Sequence, residues 1–208
     1  MGEASPARGA EGAGAEGARV VYVMGPSGAG KDTLLSYARV RLAGSAVMFA
    51  HRYITRPPRE HGENHVALSP AEFALLRARG GFALAWGAHD MHYGIGVEIR
   101  AWLAAGLCVV VSGSRAEWPN AAAALPGMLP VLITARPEVL AARLGTRGRE
   151  DRAAIDERLA RASAVVVDDP RLVVIDNSGP LPAAGERLVA AIASLVPEAA
   201  SAPASGIA

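Results

Sequence analysis

The run Val20-Val21-Tyr22-Val23-Met24-Gly25-Pro26-Ser27-Gly28-Ala29-Gly30-Lys31-Asp32-Thr33 constrains this chain more than any other stretch. Four β-branched or aromatic residues predict a strand, the glycines a tight turn, and Leu34, Leu35, Ala38 and Leu42 a helix by their spacing. Gly25, Gly28 and Gly30 free the backbone to turn N–H groups inward around an anion, with no Cβ in the way. Lys31 adds a point charge for the β- and γ-phosphates, and the helix that begins there points its positive dipole end at the same place. Strand, GxxxxGK and helix in that order make a phosphate-binding loop of an NTP-hydrolysing or phosphoryl-transferring protein, with Gly25 to Thr33 as nucleotide-binding residues. One position departs from the pattern. A serine or threonine hydroxyl ordinarily follows the lysine, and here Asp32 does, with Thr33 next. A carboxylate is also a hard-oxygen ligand, so Asp32 is read as a Mg²⁺ contact, direct or through water.

Length and composition set the frame for that loop. At 208 residues the chain is one domain, or one domain with a small insert. With 51% hydrophobic and 20% charged residues it can bury an ordinary core. A net charge of +1 gives no support for general nucleic-acid binding, so positive potential must be local. Cys108 stands alone inside an apolar run, which suits a buried residue in a reducing cytoplasm. No apolar stretch approaches the ~20 residues of a membrane helix, and the N-terminus has neither the basic nor the apolar region of a signal peptide. The expectation is a cytoplasmic protein with no membrane and no nucleic-acid partner; oligomeric state is not written in the sequence.

Strands and helices then alternate along the chain. Residues 1–18 are Gly/Ala/Glu-rich and read as a disordered leader, and 198–208 as a flexible tail. A second strand is expected near 46–50. The prolines at 57 and 58 forbid helix and leave an extended segment presenting Arg52, Arg56 and Arg59. Ser69-Pro70-Ala71-Glu72 is a capping box opening a helix to about Arg79. A short strand is expected over 82–86, a turn at Tyr93-Gly94-Ile95-Gly96, and a helix from Val97 to a stop at Gly106. The runs 107–111, 129–134 and 172–175 are uniformly apolar, the mark of parallel strands covered on both faces. Helices are expected from Pro137 to about Leu144, over 153–164 and over 181–196. The fold class expected is α/β, a P-loop nucleoside triphosphate hydrolase fold with a doubly wound parallel sheet, its ligands beyond the carboxyl ends of the strands.

Arg143, Arg147, Arg149, Arg158 and Arg161 cluster late in the chain. Arg147-Gly148-Arg149 falls in a short connection, suited to a lid over phosphates at about 145–152, because arginine stays charged and forks onto phosphate oxygens. A solvated basic helix paired with Glu150, Asp151, Asp156 and Glu157 is the alternative.

Together these residues resemble the guanylate-kinase-like group of nucleoside monophosphate kinases, and more closely the ribose 1,5-bisphosphate phosphokinases of phosphonate degradation. The likeness rests on GPSGAGKD, HRYITR, ENHVALS, YGIGVEI, SGSRA and RLGTRGRE followed by ERLARA, spanning 20 to about 177. It implies a single kinase domain over 19–197, with an acceptor-binding insert at about 51–96, that moves the γ-phosphoryl of ATP onto the 1-phosphate of ribose 1,5-bisphosphate. The same likeness assigns acceptor-phosphate binding to Arg56 and Arg59 and to Tyr93. It also places His65 where guanylate kinases use a phosphate-binding tyrosine, although His65 is equally read as a surface histidine. Asn177 either borders the adenine or is a simple turn residue. Where guanylate kinases read guanine with a glutamate and hydroxyls, this chain has Ala85, Arg52 and Ile95, and Arg52 suits an acceptor with two phosphates and no base.

Such an acceptor oxygen is already anionic, so no general base is needed and catalysis is alignment plus charge neutralisation, with Lys31, Arg147 and Arg158 as the catalytic cations. An acidic magnesium ligand at the end of the 107–111 strand is missing; the strand runs into Ser112-Gly113-Ser114. His89 and His92 lack the partners of a zinc set. Trp86, Trp102 and Trp118 read as packing residues. A guanylate kinase and a non-catalytic guanylate-kinase-like binding module are the competing readings.

Overall fold

In a computed structural model, which describes residues 19–56, 64–88, 90–146 and 166–196, five parallel strands form the central sheet. They are β1 (Val20–Met24), β2 (Val47–Phe49), β7 (Cys108–Ser112), β8 (Leu129–Thr134) and β9 (Val173–Asp176), in the order β2-β7-β1-β8-β9. Every residue of β1 and β7 is buried, as strands with helices on both faces require. Side chains alternate between two cores. Val21, Val23, Val110, Ile133 and Ile175 pack on one face with Leu34, Ala38 and Leu188. Tyr22, Met24, Val109 and Val111 pack on the other with Ile99, Leu103 and Trp118.

The helices are α1 (Lys31–Arg41), α2 (Pro70–Ala78), α3 (Glu98–Ala104), α4 (Trp118–Ala124), α5 (Pro137–Thr146) and α6 (Leu181–Ala193). α1 lies against α6 so closely that a Cβ on Gly185 would stand 2.5 Å from the Tyr37 ring. That contact fixes the direction in which the N-terminus of α1 points.

Between β2 and β7 the chain builds a second sheet, β4-β3-β6-β5, from β3 (Arg52–Ile54), β4 (His65–Ala67), β5 (Phe82–Ala88) and β6 (Met91–Gly96). Here the sequence expectation needs correction: Tyr93 to Gly96 is strand, not turn. The reversal sits ahead of it, at Asp90 with φ 58°. The two glycines serve close approach instead. A Cβ on Gly94 would lie 2.6 Å from the Phe82 ring, and one on Gly96 would collide with the Glu98 carboxylate. α4 is also new, a short Ala-rich helix with Pro119 in its first turn that no expectation covered. The helix expected over 153–164, the leader, the tail, and residues 147–152 of the expected lid lie outside the described residues.

Candidate active site

The loop between β1 and α1 stands at the carboxyl end of the sheet, with Gly28 at φ +86° and Gly30 at φ +82°. Both values lie in the left-handed region that glycine enters without strain. The loop is held from outside. Asn177 Nδ2 donates to the Ala29 carbonyl at 2.7 Å, and Arg143 Nη2 donates to the Asn177 carbonyl at 2.9 Å. C=O and N–H point oppositely across a trans peptide, so pinning the Ala29 oxygen outward turns the Gly30 N–H to the other side. Asn177 is buried and, by packing against the loop, leaves no room for a Cβ at Gly30, which would come within 2.5 Å of its Nδ2.

Lys31 opens α1, and its ammonium donates to Ser112 Oγ at 2.9 Å and meets Asp32 Oδ1 at 3.4 Å. Its side chain is only 13% exposed. Burial first, and the neighbouring Arg52 second, pull its pKa down to about 8, against the opposing pull of Asp32. Ser112 reaches this place because β7 runs parallel to β1, with Ser112 beside Val23 and the Gly113 N–H bonded to the Val23 carbonyl at 2.9 Å. The Tyr22 ring fills the space a Cβ on Gly113 would need, so the chain leaves β7 along a fixed path.

Arg52 comes from the second sheet. Its Nη2 lies 3.6 Å from Asp32 Oδ1, with the Arg52 side chain 12% exposed and the Asp32 side chain 49%. Burial weakens the hold of the guanidinium on its proton, and Asp32 offsets only part of that. Asp32 thus sits between two cations, one from the loop and one from the insert. Asn64 ties the insert to the main sheet, donating to the Phe49 and Ala50 carbonyls at 3.2 Å each.

Two cavities flank the start of α1. One, of about 300 Å³, is lined by Asp32, Ser36, Arg39, Arg52, Asn64 and Ser112 among others. The other, of about 410 Å³, is lined by Gly28, Gly30, Thr33, Arg143, Asn177 and Leu181 among others. The structure therefore brings Lys31, Asp32 and Arg52 together and puts Asn177 against the loop. Pro26 and Ser27 are part of the loop itself.

Arg56 follows β3 with its Nε screened from water. His65 pairs in register with Arg52. Its ring nitrogens are equally screened, while the residue as a whole is partly exposed. Tyr93 lies on β6, stacked on Trp86 at 5.5 Å. Arg59, Arg147 and Arg158 lie outside the described residues.

Sequence reasoning gave no site role to Asn64, Arg39 or Ser112, although Asn64 and Ser112 fall in motifs that carry the family likeness. Asn64 stood within a motif already quoted, but its partners, 14 and 15 residues away, come from pairing that no local pattern shows. Among the described residues no group of three or more His, Cys, Asp or Glu could hold a metal, and no helix is long and apolar enough to cross a membrane. The hard oxygens of Asp32 and Ser112 suit magnesium, which keeps most of its shell as water and phosphate and asks little of the protein.

A glycine loop on a parallel sheet, a loop lysine and a cavity on either side define a P-loop kinase of the guanylate-kinase-like fold. A guanylate kinase from Anaplasma phagocytophilum has that fold, with TM-score 0.58 over 88% of each chain at 13% identity. No protein-family model matches the chain. Curated relatives are much nearer. The ribose 1,5-bisphosphate phosphokinase PhnN of Desulfomicrobium baculatum is 55% identical over 84% of this chain and 94% of its own. That of Burkholderia pseudomallei is 56% identical over 85% and 96%. The chain belongs to the PhnN family of ribose 1,5-bisphosphate phosphokinases.

Proposed function

We propose that this protein transfers the γ-phosphoryl group of ATP to the 1-phosphate of ribose 1,5-bisphosphate, giving 5-phosphoribosyl 1-diphosphate and ADP in the cytoplasmic breakdown of phosphonates. An oxygen of the acceptor phosphate bonds to the γ-phosphorus as the bond from that phosphorus to the β–γ bridging oxygen breaks, and ADP leaves with the electron pair. The observation that carries the reading is the pair of cavities on opposite sides of one loop, with Arg52 and Asp32 at the wall of the smaller.

In this reading the larger cavity, beside Arg143 and Asn177, takes the nucleoside end of ATP. The loop amides and Lys31 hold its phosphates. Magnesium, when bound with ATP, would offset phosphate charge, with Asp32 on its shell. The insert, residues 51–96, takes the acceptor through Arg52 and Arg56, with Arg59, His65 and Tyr93 assigned by family likeness. Arg147 and Arg158 are assigned to the transferring group on the same ground. The insert also lacks what guanine would need. Position 85 is alanine, and position 95 is an isoleucine buried in the core. A base edge buried there without hydrogen-bond partners would carry the desolvation cost of its polar groups.

The test is purified protein with ATP and Mg²⁺, offered ribose 1,5-bisphosphate or GMP. The expected result is 5-phosphoribosyl 1-diphosphate from the first and no GDP from the second. Turnover of GMP alone would replace this reading with a guanylate kinase, and turnover of neither with a binding module.

A further inference from the structure

In P-loop enzymes magnesium is commonly held by a Ser or Thr hydroxyl directly after the loop lysine and by an aspartate at the end of a neighbouring strand. This chain has the two chemistries in the opposite places. The residue after Lys31 is Asp32, and the strand beside β1 ends in Ser112. Both oxygens lie against one ammonium and line one cavity: Lys31 Nζ is 2.9 Å from Ser112 Oγ and 3.4 Å from Asp32 Oδ1. Ser112 is 8% exposed and Asp32 about half exposed, so the hydroxyl lies at the floor and the carboxylate at the mouth of the same cavity.

We infer that Asp32 and Ser112 have exchanged the two protein positions of the magnesium shell: the carboxylate now comes from the first turn of α1 and the hydroxyl from the end of β7. The exchange keeps one carboxylate and one hydroxyl, and so keeps the charge and hardness the cation meets. What it changes is where the negative charge sits. Moved to α1, the carboxylate is within reach of Arg52 on the insert, at 3.6 Å. From the floor of the site, a carboxylate on β7 would lie directly against Lys31. The inference rests on the ATP-dependent kinase reading above, and it adds to that reading which position of the shell each residue fills.

The experiment measures Mn²⁺ affinity by EPR, with each protein saturated with a non-hydrolysable ATP analogue. Binding of the analogue alone is followed separately by calorimetry, and folding by circular dichroism. D32N, isosteric and uncharged, is expected to weaken Mn²⁺ binding about tenfold or more, since carboxylate count sets the affinity of such sites. D32S is expected to do the same. The double variant D32S/S112D, which restores the usual arrangement, is expected to recover about threefold or more of the affinity that D32S loses, a non-additivity of the kind neighbouring residues show. D32N binding Mn²⁺ as wild type does would overturn the inference. So would a folded D32S/S112D variant that binds the analogue but holds Mn²⁺ no better than D32S. A wild-type protein that binds no analogue at all would instead remove the kinase reading and the inference with it.

Discussion

Lys31 is a cation whose surroundings work against it until phosphate arrives. It is nearly buried, faces Arg52, and has its pKa pulled down from 10.5 to about 8. A charge disfavoured in the folded state costs stability below that value, and the cost lifts as pH rises from about 8 towards 10.5, where the unfolded chain binds more protons than the folded one. The nucleotide-free protein should therefore gain stability over that window relative to K31M, as read by urea denaturation. Phosphate binding reverses the preference. At pH 9 nucleotide binding should take up close to one proton, measured by calorimetry in two buffers of different ionisation enthalpy, and K31M should take up none. K31A should lower kcat/KM by about a hundredfold to a thousandfold, the usual loss when one donor to a developing charge is removed. The loop around Lys31 was legible in the sequence because its order and spacing are local. The Lys31–Ser112 bond joins residues 81 apart, and no local pattern carries it.

Among the elements, α2 shows a local signal that fully determines its outcome. Ser69 Oγ accepts from the Glu72 N–H at 3.2 Å, and the Glu72 carboxylate accepts from the Ser69 N–H at 2.7 Å. S69A should cost about 1 kcal/mol of unfolding free energy, the usual worth of such a cap. Hydrogen bonds from Ser69 hold the Glu72 pKa below its ordinary value, so the cap is complete above the usual glutamate range and fades as pH falls through and below it. The deficit of S69A should shrink at acid pH. Gly94 shows the opposite case. Two glycines in four residues read locally as a turn, yet Phe82, stacked on Phe73 at 4.6 Å, lies across the strand there. What selects glycine is a neighbour 12 residues away, so periodicity could not distinguish strand from turn. G94A should cost about 1–3 kcal/mol, the usual range for overpacking, and lower the melting temperature. α4 was illegible for a related reason: Ala121 and Leu125 are core residues, but the alanines around them give no contrast between faces.

At the scale of the molecule, one ion pair joins the second sheet to the start of α1. Arg52 belongs to the insert and Asp32 to the helix that the phosphate loop opens, and their ion pair lines the smaller cavity. If Asp32 turns to magnesium when the donor binds, Arg52 loses its carboxylate partner just as an acceptor phosphate becomes the anion available to its fork. Donor and acceptor binding are then coupled with positive sign, and linkage requires the coupling to be the same in either direction. Ribose 1,5-bisphosphate should bind about 5-fold or more tighter to protein saturated with Mg²⁺ and a non-hydrolysable ATP analogue than to free protein, within the range common for such couplings. R52A should bind the acceptor more weakly in both states and show a ratio near one. Calorimetric titration of the acceptor, with and without the analogue, reads all four affinities. A wild-type ratio at or below one would mean that phosphate repulsion outweighs the release of Arg52, and a ratio retained in R52A would place the coupling in some other contact between insert and sheet.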